Sequence, residues 1–142
     1  MTSEDQLARD LRDSLRPMWR KLTSEGTLSP GKYGALGRLD VRGRATASEL
    51  ATAENVSPQA MATAVRELEK DGLVVRTPDE QDRRRVWLSL TPAGRERLTA
   101  ERALGNLWLE QMLGQRLSAS ERAKLNSVVP LLRRLGSEVA GE

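Results

Sequence analysis

Apolar residues recur along most of the chain at intervals of three and four, the pattern of amphipathic helices. In the first segment these residues are Leu7, Leu11, Leu15, Met18 and Leu22. Each later segment opens with a typical helix start, a hydroxyl residue followed either directly by Pro or three positions later by Glu. The starts are Ser29-Pro30, Thr46 with Glu49, Ser57-Pro58, Thr91-Pro92 and Ser118 with Glu121. The pattern therefore predicts six helices.

Glycine and proline indicate where these helices end or bend. The first helix is expected to break at Gly26 and to kink at Pro17. The fifth is expected to be weakened at Gly105 and to end near Gly114, and Pro130 is expected to bend or interrupt the sixth.

A different pattern follows the fourth helix, which Gly72 can close. The runs LVVRT and VWLSLT are short and rich in β-branched and apolar residues, so they predict the two strands of a hairpin. The long polar tip between them, PDEQDRRR, carries three adjacent arginines, Arg83, Arg84 and Arg85. Trp87 alternates with its strand neighbours and is expected to cover the outer side of the hairpin. The predicted fold is therefore mainly α with one small β-hairpin.

Length and composition exclude several classes of protein. A chain of 142 residues favours a single domain, residues 1–142. There is no cysteine and no histidine, and we find no phosphate-binding loop, metal-spaced cluster or nucleophile elbow. We therefore predict no enzymatic activity, no metal and no cofactor. The charged start of the chain and the lack of a run of roughly 20 apolar residues predict a cytoplasmic protein without a membrane partner.

The third and fourth helices, joined by a tight turn at Asn55-Val56, have the order of a helix-turn-helix, whose second helix lies in the DNA major groove. Successive helix residues rotate by about 100°. One face of the fourth helix then carries Met61, Ala64, Val65 and Leu68, and the opposite face carries Gln59, Thr63, Arg66 and Lys70. The polar face suits contacts to bases and phosphates, although any solvated surface helix also shows such a face.

A hairpin directly after this helix places its tip beside the same groove, where arginines bind phosphates or enter the minor groove. Asp79, Glu80 and Asp82 are expected to restrain and orient these arginines when DNA is absent. The alternative is a solvated turn neutralised by its own acids. Arg38, Arg42 and Arg44 are candidates either for phosphate contacts or for a solvated face.

Residues 68–94, LEKDGLVVRTPDEQDRRRVWLSLTPAG, resemble the signature of the MarR (multiple antibiotic resistance regulator) family of transcription factors. The matching elements, in order and at the family's spacings, are Gly72-Leu73-Val74, Asp82-Arg83-Arg84 and Thr91-Pro92-Ala93-Gly94. The resemblance extends more loosely over the whole chain. It implies a homodimeric winged helix-turn-helix protein whose wing arginines, matching Arg83 and Arg84, contact the minor groove. It also implies a repressor of neighbouring genes that is relieved by a small aromatic or lipophilic effector.

The predicted DNA-binding residues are Ser57, Gln59, Ala60, Thr63, Arg66, Arg83, Arg84 and Arg85, with Asp82 as support of the wing. This sequence departs from the family at Thr63, where many members carry a longer polar residue. The absence of cysteine excludes the family's thiol-oxidation branch. Trp19, Tyr33 and Trp108 are interpreted either as ordinary core or interface residues or as the lining of an effector pocket.

The domain divides, in this interpretation, into a winged helix-turn-helix core, residues 30–91, and dimerisation helices in residues 1–26 and 92–142. The apolar faces of the end helices exceed what the core needs, so a second copy would cover them, unless they pack within one chain. Such a dimer would set two recognition helices about 34 Å apart on a pseudo-palindromic operator in duplex DNA. Alternative functions are a winged-helix protein-interaction module and a non-specific architectural DNA binder.

Overall fold

The structure of the protein, a computed structural model, describes residues 3–137. Within them the chain forms six helices and one antiparallel two-stranded sheet, as the sequence predicts. The elements are α1 (Glu4–Ser24), α2 (Pro30–Arg42), α3 (Ala47–Ala53), α4 (Pro58–Lys70), β1 (Val74–Pro78), β2 (Val86–Leu90), α5 (Pro92–Arg116) and α6 (Ala119–Gly136). They fall into two compact units, one ending at Asn106 and one beginning at Leu107.

Hydroxyl side chains cap the helices at the predicted starts. Ser29, Ser57 and Ser118 each accept a hydrogen bond from the backbone N–H three residues on. At Ser118 the capping box is complete, because the Glu121 carboxylate also accepts from the Ser118 N–H at 2.9 Å. At Thr46 only the first half forms, Glu49 N–H to Thr46 Oγ1 at 3.1 Å; the return bond is absent from the described residues.

Two of the breaker residues lie inside continuous helices. α6 runs through Pro130 without an interruption, and α5 runs through Gly105 and ends at Arg116, close to the expected end at Gly114. Gly105 is buried, and a Cβ there would lie 2.8 Å from the carbonyl oxygen of Leu22. This glycine therefore lets α5 approach the backbone of α1.

The hydrophobic core of the first unit forms around α2, α3 and α4. Each large apolar side chain removed from water contributes about 1.5–3 kcal/mol. The fully buried ones are Leu36, Leu39, Leu50, Met61, Val65, Leu68, Leu88 and Leu98. Leu98 belongs to α5, and Leu28 also joins this core, so the packing extends beyond residues 30–91 at both ends.

The hairpin pairs Val74 with Leu90 at its base and Pro78 with Val86 near its tip. A third segment, which the sequence pattern did not reveal, pairs with β2 through a single residue. Ala45 N–H donates to Leu88 O at 3.1 Å, and Leu88 N–H donates to Ala45 O at 2.8 Å. The loop between α2 and α3 is thereby attached to the hairpin.

The base of the hairpin is closed by Thr91. Its hydroxyl donates to Gly72 O at 2.6 Å and accepts from Gly94 N–H at 3.0 Å, while its own N–H donates to Leu73 O at 3.1 Å. Gly72 has φ of +74°, which favours glycine. A Cβ on Gly94 would overlap the carbonyl oxygen of Leu73. The Gly-Leu and Thr-x-x-Gly parts of the signature are thus two sides of one backbone junction.

A buried carboxylate ties the loop between α1 and α2 to α5. Glu101, only 4% exposed, accepts hydrogen bonds from Thr27 N–H at 2.9 Å, Thr27 Oγ1 at 2.8 Å and Arg97 Nε at 3.2 Å. Burial alone would raise the pKa of Glu101, but the hydrogen bonds from Thr27 and Arg97 outweigh it and the pKa is lowered.

We expect Glu101→Gln to lower the free energy of unfolding by about 1–3 kcal/mol at neutral pH, because an amide cannot accept all of these bonds. Since folding lowers the pKa of Glu101 from its ordinary 4.5, the stabilisation is complete above about pH 4.5 and is lost as the pH falls through the folded pKa. Urea unfolding at several pH values should show the gap to wild type shrinking in acid. The control is Glu96→Gln, an exposed carboxylate on the same helix, which should change little. Equal stability of Glu101→Gln and wild type at neutral pH would contradict this role.

Candidate nucleic-acid interface

α3 and α4 are joined by a tight turn. Asn55 takes a φ of +54°, a conformation that asparagine tolerates better than most residues, and Val56 N–H donates to Ala51 O at 3.0 Å. Ser57 then caps α4, its Oγ accepting from Ala60 N–H at 3.1 Å. The two helices and this turn form a helix-turn-helix in which α4 takes the position of the recognition helix.

α4 is divided lengthwise into the two predicted faces. Met61, Val65 and Leu68 are buried in the core, and Ala64 is partly buried. The polar residues on the opposite face are all exposed, and so is Ala60. These polar residues are Gln59, Thr63, Arg66 and Lys70.

Two of the polar residues on this face already contact each other. Thr63 Oγ1 donates to Gln59 O at 3.0 Å and accepts from Arg66 Nη2 at 3.2 Å. The guanidinium of Arg66 is therefore held against the helix by one nitrogen. Arg66 and Gln59 are both exposed, and their side chains carry the donor and acceptor groups that suit base edges.

Ion pairs on either side of the polar face attach α4 to its neighbours. Lys32 Nζ lies 2.5 Å from the Glu67 carboxylate, joining α4 to α2, and this contact lowers the pKa of Glu67. Arg76 of β1 pairs with Glu69. These exposed pairs contribute little energy but restrict the orientation of the helix.

Asp82 shapes the tip of the hairpin, residues 79–85. Its carboxylate accepts from Arg84 N–H and its carbonyl oxygen accepts from Arg85 N–H, both at 3.0 Å. Asp79 N–H in turn donates to Arg85 O at 3.0 Å. The backbone that carries the arginines is therefore fixed by local hydrogen bonds.

The arginines themselves lack carboxylate partners. Arg83, Arg84 and Arg85 are exposed, and across residues 3–137 no ion pair joins any of them to an acid. Of the three acids expected to restrain the arginines, Asp82 does so through the backbone, and no ion pair in the described part of the chain joins Asp79 or Glu80 to them. Asp82 binds the backbone instead, because a short side chain in a tight turn reaches the adjacent N–H groups first.

Trp87 does more than cover the outer side of the hairpin. The guanidinium carbon of Arg44 lies 4.0 Å from the centre of the indole ring, and that of Arg85 lies 5.4 Å from it. Both distances fall within the range of cation–π attraction.

A small cavity lies beside the start of the recognition helix. Its volume is about 220 Å³, and its lining includes Trp19, Thr23, Tyr33, Gly34, Glu54 and Val56, all residues of the first unit. Trp108, the third predicted pocket residue, is partly buried in the second unit and is not part of this lining.

The part of the chain that the structure describes contains no cluster of acidic side chains able to hold a metal ion. Nor does any helix within residues 3–137 combine the length and apolarity needed to cross a bilayer.

A helix-turn-helix followed by a hairpin that returns to the same core defines a winged helix-turn-helix protein. Comparison with known proteins gives the same class. The family model described as the MarR family matches residues 28–86. An HTH-type transcriptional regulator of Mycobacterium tuberculosis is 32% identical over 141 residues, which cover 97% of this chain and 98% of that protein. The HTH-type transcriptional repressor MdtR of Bacillus subtilis is 35% identical over 101 residues, covering 66% of this chain and 65% of MdtR.

Solved structures agree. A protein of Pseudomonas aeruginosa described as a transcriptional regulator is 34% identical, covers 98% of this chain and 99% of its own, and superposes with a TM-score of 0.79. Escherichia coli MarR shares the fold, with a TM-score of 0.75 at 24% identity over 92% of this chain and 97% of its own. The chain belongs to the MarR family of DNA-binding transcriptional regulators, which confirms the resemblance. Its relatives are regulators rather than enzymes.

Proposed function

We propose that this protein is a sequence-specific repressor that binds duplex DNA as a homodimer and is released from its operator by a small aromatic or lipophilic effector. The observation that carries the proposal is the exposed polar face of α4 next to a wing whose arginines have no carboxylate partner. Arginines without counter-charges on a rigid hairpin are suited to a polyanion. Since its target is the chromosome, we infer that it acts in the cytoplasm.

The recognition helix supplies contacts of two kinds. Gln59 suits the paired donor and acceptor of adenine, and Arg66 suits guanine once its bond to Thr63 rearranges. Ser57 at the helix start and the small side chain of Ala60 allow close approach to the backbone or to a thymine methyl group. Thr63 serves in this scheme mainly to hold Arg66.

The wing supplies contacts that do not depend on base identity. Arg83 and Arg84 are proposed to enter the minor groove, where narrow A·T-rich sequences attract arginine, and Arg85 to contact the flanking phosphates. Asp82 supports these contacts because it fixes the backbone at Arg84.

Dimerisation is supported by apolar side chains that solvent reaches on both end helices. On α1, Leu7 is 53% and Trp19 is 60% exposed; on α6, Leu131 is 47% and Leu135 is 74% exposed. Isolated exposed leucines are common, but rows of them along a helix favour burial by a partner. A two-fold dimer would cover both rows and present two recognition helices about 34 Å apart.

Further observations support repression of transcription and release of the protein from DNA by a ligand. The B. subtilis relative MdtR is named a repressor. The cavity holding Trp19 and Tyr33 also includes Glu54 and Val56, the residues just before the start of α4. A ligand bound in this cavity would contact the turn before the recognition helix and favour a different position of that helix. That Trp108 lines an effector pocket stays a prediction.

Substitutions in the wing and in the recognition helix should affect DNA binding in different ways. Arg84→Ala should weaken binding to operator and random duplexes alike and reduce the salt dependence of log K by about 0.9 for each phosphate that the side chain neutralises.

Gln59→Ala or Arg66→Ala should weaken binding to the operator by about 1–3 kcal/mol and reduce the preference of the protein for the operator over random DNA. Fluorescence anisotropy with a duplex from the protein's own upstream region and a scrambled duplex measures both.

The charge-matched control is Arg116→Ala, at the end of α5, which should bind as wild type does. Failure of the wild type to bind either duplex at low salt would instead favour a protein-interaction module, and equal affinity for both would favour an architectural DNA binder.

Leu131→Glu combined with Leu135→Glu should yield monomers, because each carboxylate would be buried without a partner in the dimer but remains solvated in the single chain. Sedimentation velocity measures the outcome. Val41→Glu is the control, since Val41 is 79% exposed but lies on α2. A monomeric wild type, or a double variant that stays dimeric, would refute the proposed interface.

Phenol and p-cresol should quench Trp19 and release DNA over the same concentration range. A Trp87→Phe, Trp108→Phe variant leaves Trp19 as the reporter. Gly31 lines the cavity with open space beside it, so Gly31→Leu should fill the cavity and abolish both responses while DNA binding persists. Gly114→Leu, also with open space beside it, is the matched control. DNA release that persists in Gly31→Leu would exclude this cavity as the effector site.

A further inference from the structure

We propose that Trp87 is a positioning residue that holds Arg44 together with Arg85 on the flank of the hairpin, where the two guanidinium groups bind the phosphate backbone of DNA. The inference rests on the proposed DNA-binding function and adds to it a contact outside both the recognition helix and the wing tip. It assigns a role to an indole and to an arginine of the α2–α3 loop.

The hairpin brings Arg44 to Trp87 through the backbone. Ala45 pairs with Leu88 by two hydrogen bonds, so the preceding residue, Arg44, lies alongside the strand that carries Trp87. Arg85 stands just before the same strand. Two arginines far apart in sequence therefore meet at one indole ring.

A guanidinium group that stacks on a ring keeps its N–H donors available, because they lie in the plane of the group. The guanidinium carbon of Arg44 is 4.0 Å from the ring centre, a distance that allows such stacking on the indole. No ion pair joins Arg44 or Arg85 to a carboxylate among residues 3–137. A phosphate is the bidentate acceptor that matches such an edge.

The surroundings favour an extended anion. Arg44 and Trp87 line an open groove of about 740 Å³ between the α2–α3 loop and the hairpin, together with Arg42. Asp79 and Glu80 also line it, and no ion pair within the described residues joins either acid to Arg44 or Arg85. Arg85 follows Arg83 and Arg84 directly and lies 5.4 Å from the centre of the same indole ring, so arginines extend from the wing tip to the ring that Arg44 contacts. A duplex backbone, with its repeating phosphates, can follow such a surface.

A purely structural role would not require tryptophan. The indole N–H is buried, and no acceptor in the described part of the chain reaches it. An unsatisfied buried donor is unfavourable, and a leucine or phenylalanine would cover the hairpin without that cost. Tryptophan is also the ring that attracts cations most strongly.

A double-mutant cycle on DNA binding tests the proposal. The variants are Arg44→Ala, Trp87→Leu and the pair, measured by anisotropy on a random-sequence duplex across salt, because a phosphate contact needs no operator. Arg44→Ala and Trp87→Leu should each lower affinity about five- to tenfold, and the pair should bind little more weakly than either alone. Arg44→Ala should also reduce the salt slope by about 0.9 per phosphate contact. Trp87→Phe, which keeps an aromatic face, should recover part of the affinity.

Arg83→Ala is the control for simple loosening of the wing, since its effect should multiply with that of Trp87→Leu. Unchanged affinity and salt slope in Arg44→Ala would overturn the inference, as would full multiplication of the Arg44 and Trp87 effects or a Trp87→Phe variant no better than Trp87→Leu. These comparisons of affinity require that the wild-type protein binds the duplex. Wild-type protein that binds no duplex at low salt would refute the proposed function itself, and the inference with it.

Discussion

The position of the hairpin depends on one hydroxyl group. Thr91 joins the carbonyl of Gly72, at the end of the recognition helix, to the N–H of Gly94, in the first turn of α5. Its own N–H bonds to Leu73. The hairpin therefore starts and finishes at the same junction, and the base of the wing is attached to the end of α4. Every proposed DNA contact outside the recognition helix, at the tip or on the flank, depends on this connection.

Three acids hold backbone and helices rather than the arginines of the wing. Glu101 binds the loop before α2, Glu67 binds Lys32, and Asp82 binds the N–H of Arg84. The formal net charge of the chain is only +3, and the tip of the hairpin holds as many acids as arginines, three of each. What the tip offers to DNA is therefore arginines without ion pairs rather than an excess of positive charge. This explains how a nearly neutral protein can present a surface suited to DNA.

The recognition helix and the wing are prepared for DNA in different ways. On α4, Arg66 is held by Thr63, and in the proposed function it exchanges that bond for a base contact, so sequence reading would carry a small rearrangement. The arginines at the tip of the hairpin have no ion pair to exchange within the described residues, and Arg85, together with Arg44, already lies within the range of cation–π attraction to Trp87. In the proposed function, a ligand beside Glu54 and Val56 would act on the helix rather than on the wing, because that cavity adjoins the turn before α4.

Local features of the sequence determined the elements. Caps such as Ser57 and Ser118, the three-and-four spacing of apolar residues and the β-branched runs act over a few residues, so they predicted all six helices, the hairpin and the two faces of α4. The family signature could be recognised for the same reason, because the Gly72 and Thr91 sides of one junction lie close in sequence. Only the tertiary structure decided what depends on residues distant in sequence. The close approach that requires Gly105, the bonds of Glu101 to Thr27 and the meeting of Arg44 with Trp87 join positions tens of residues apart, which no local pattern encodes.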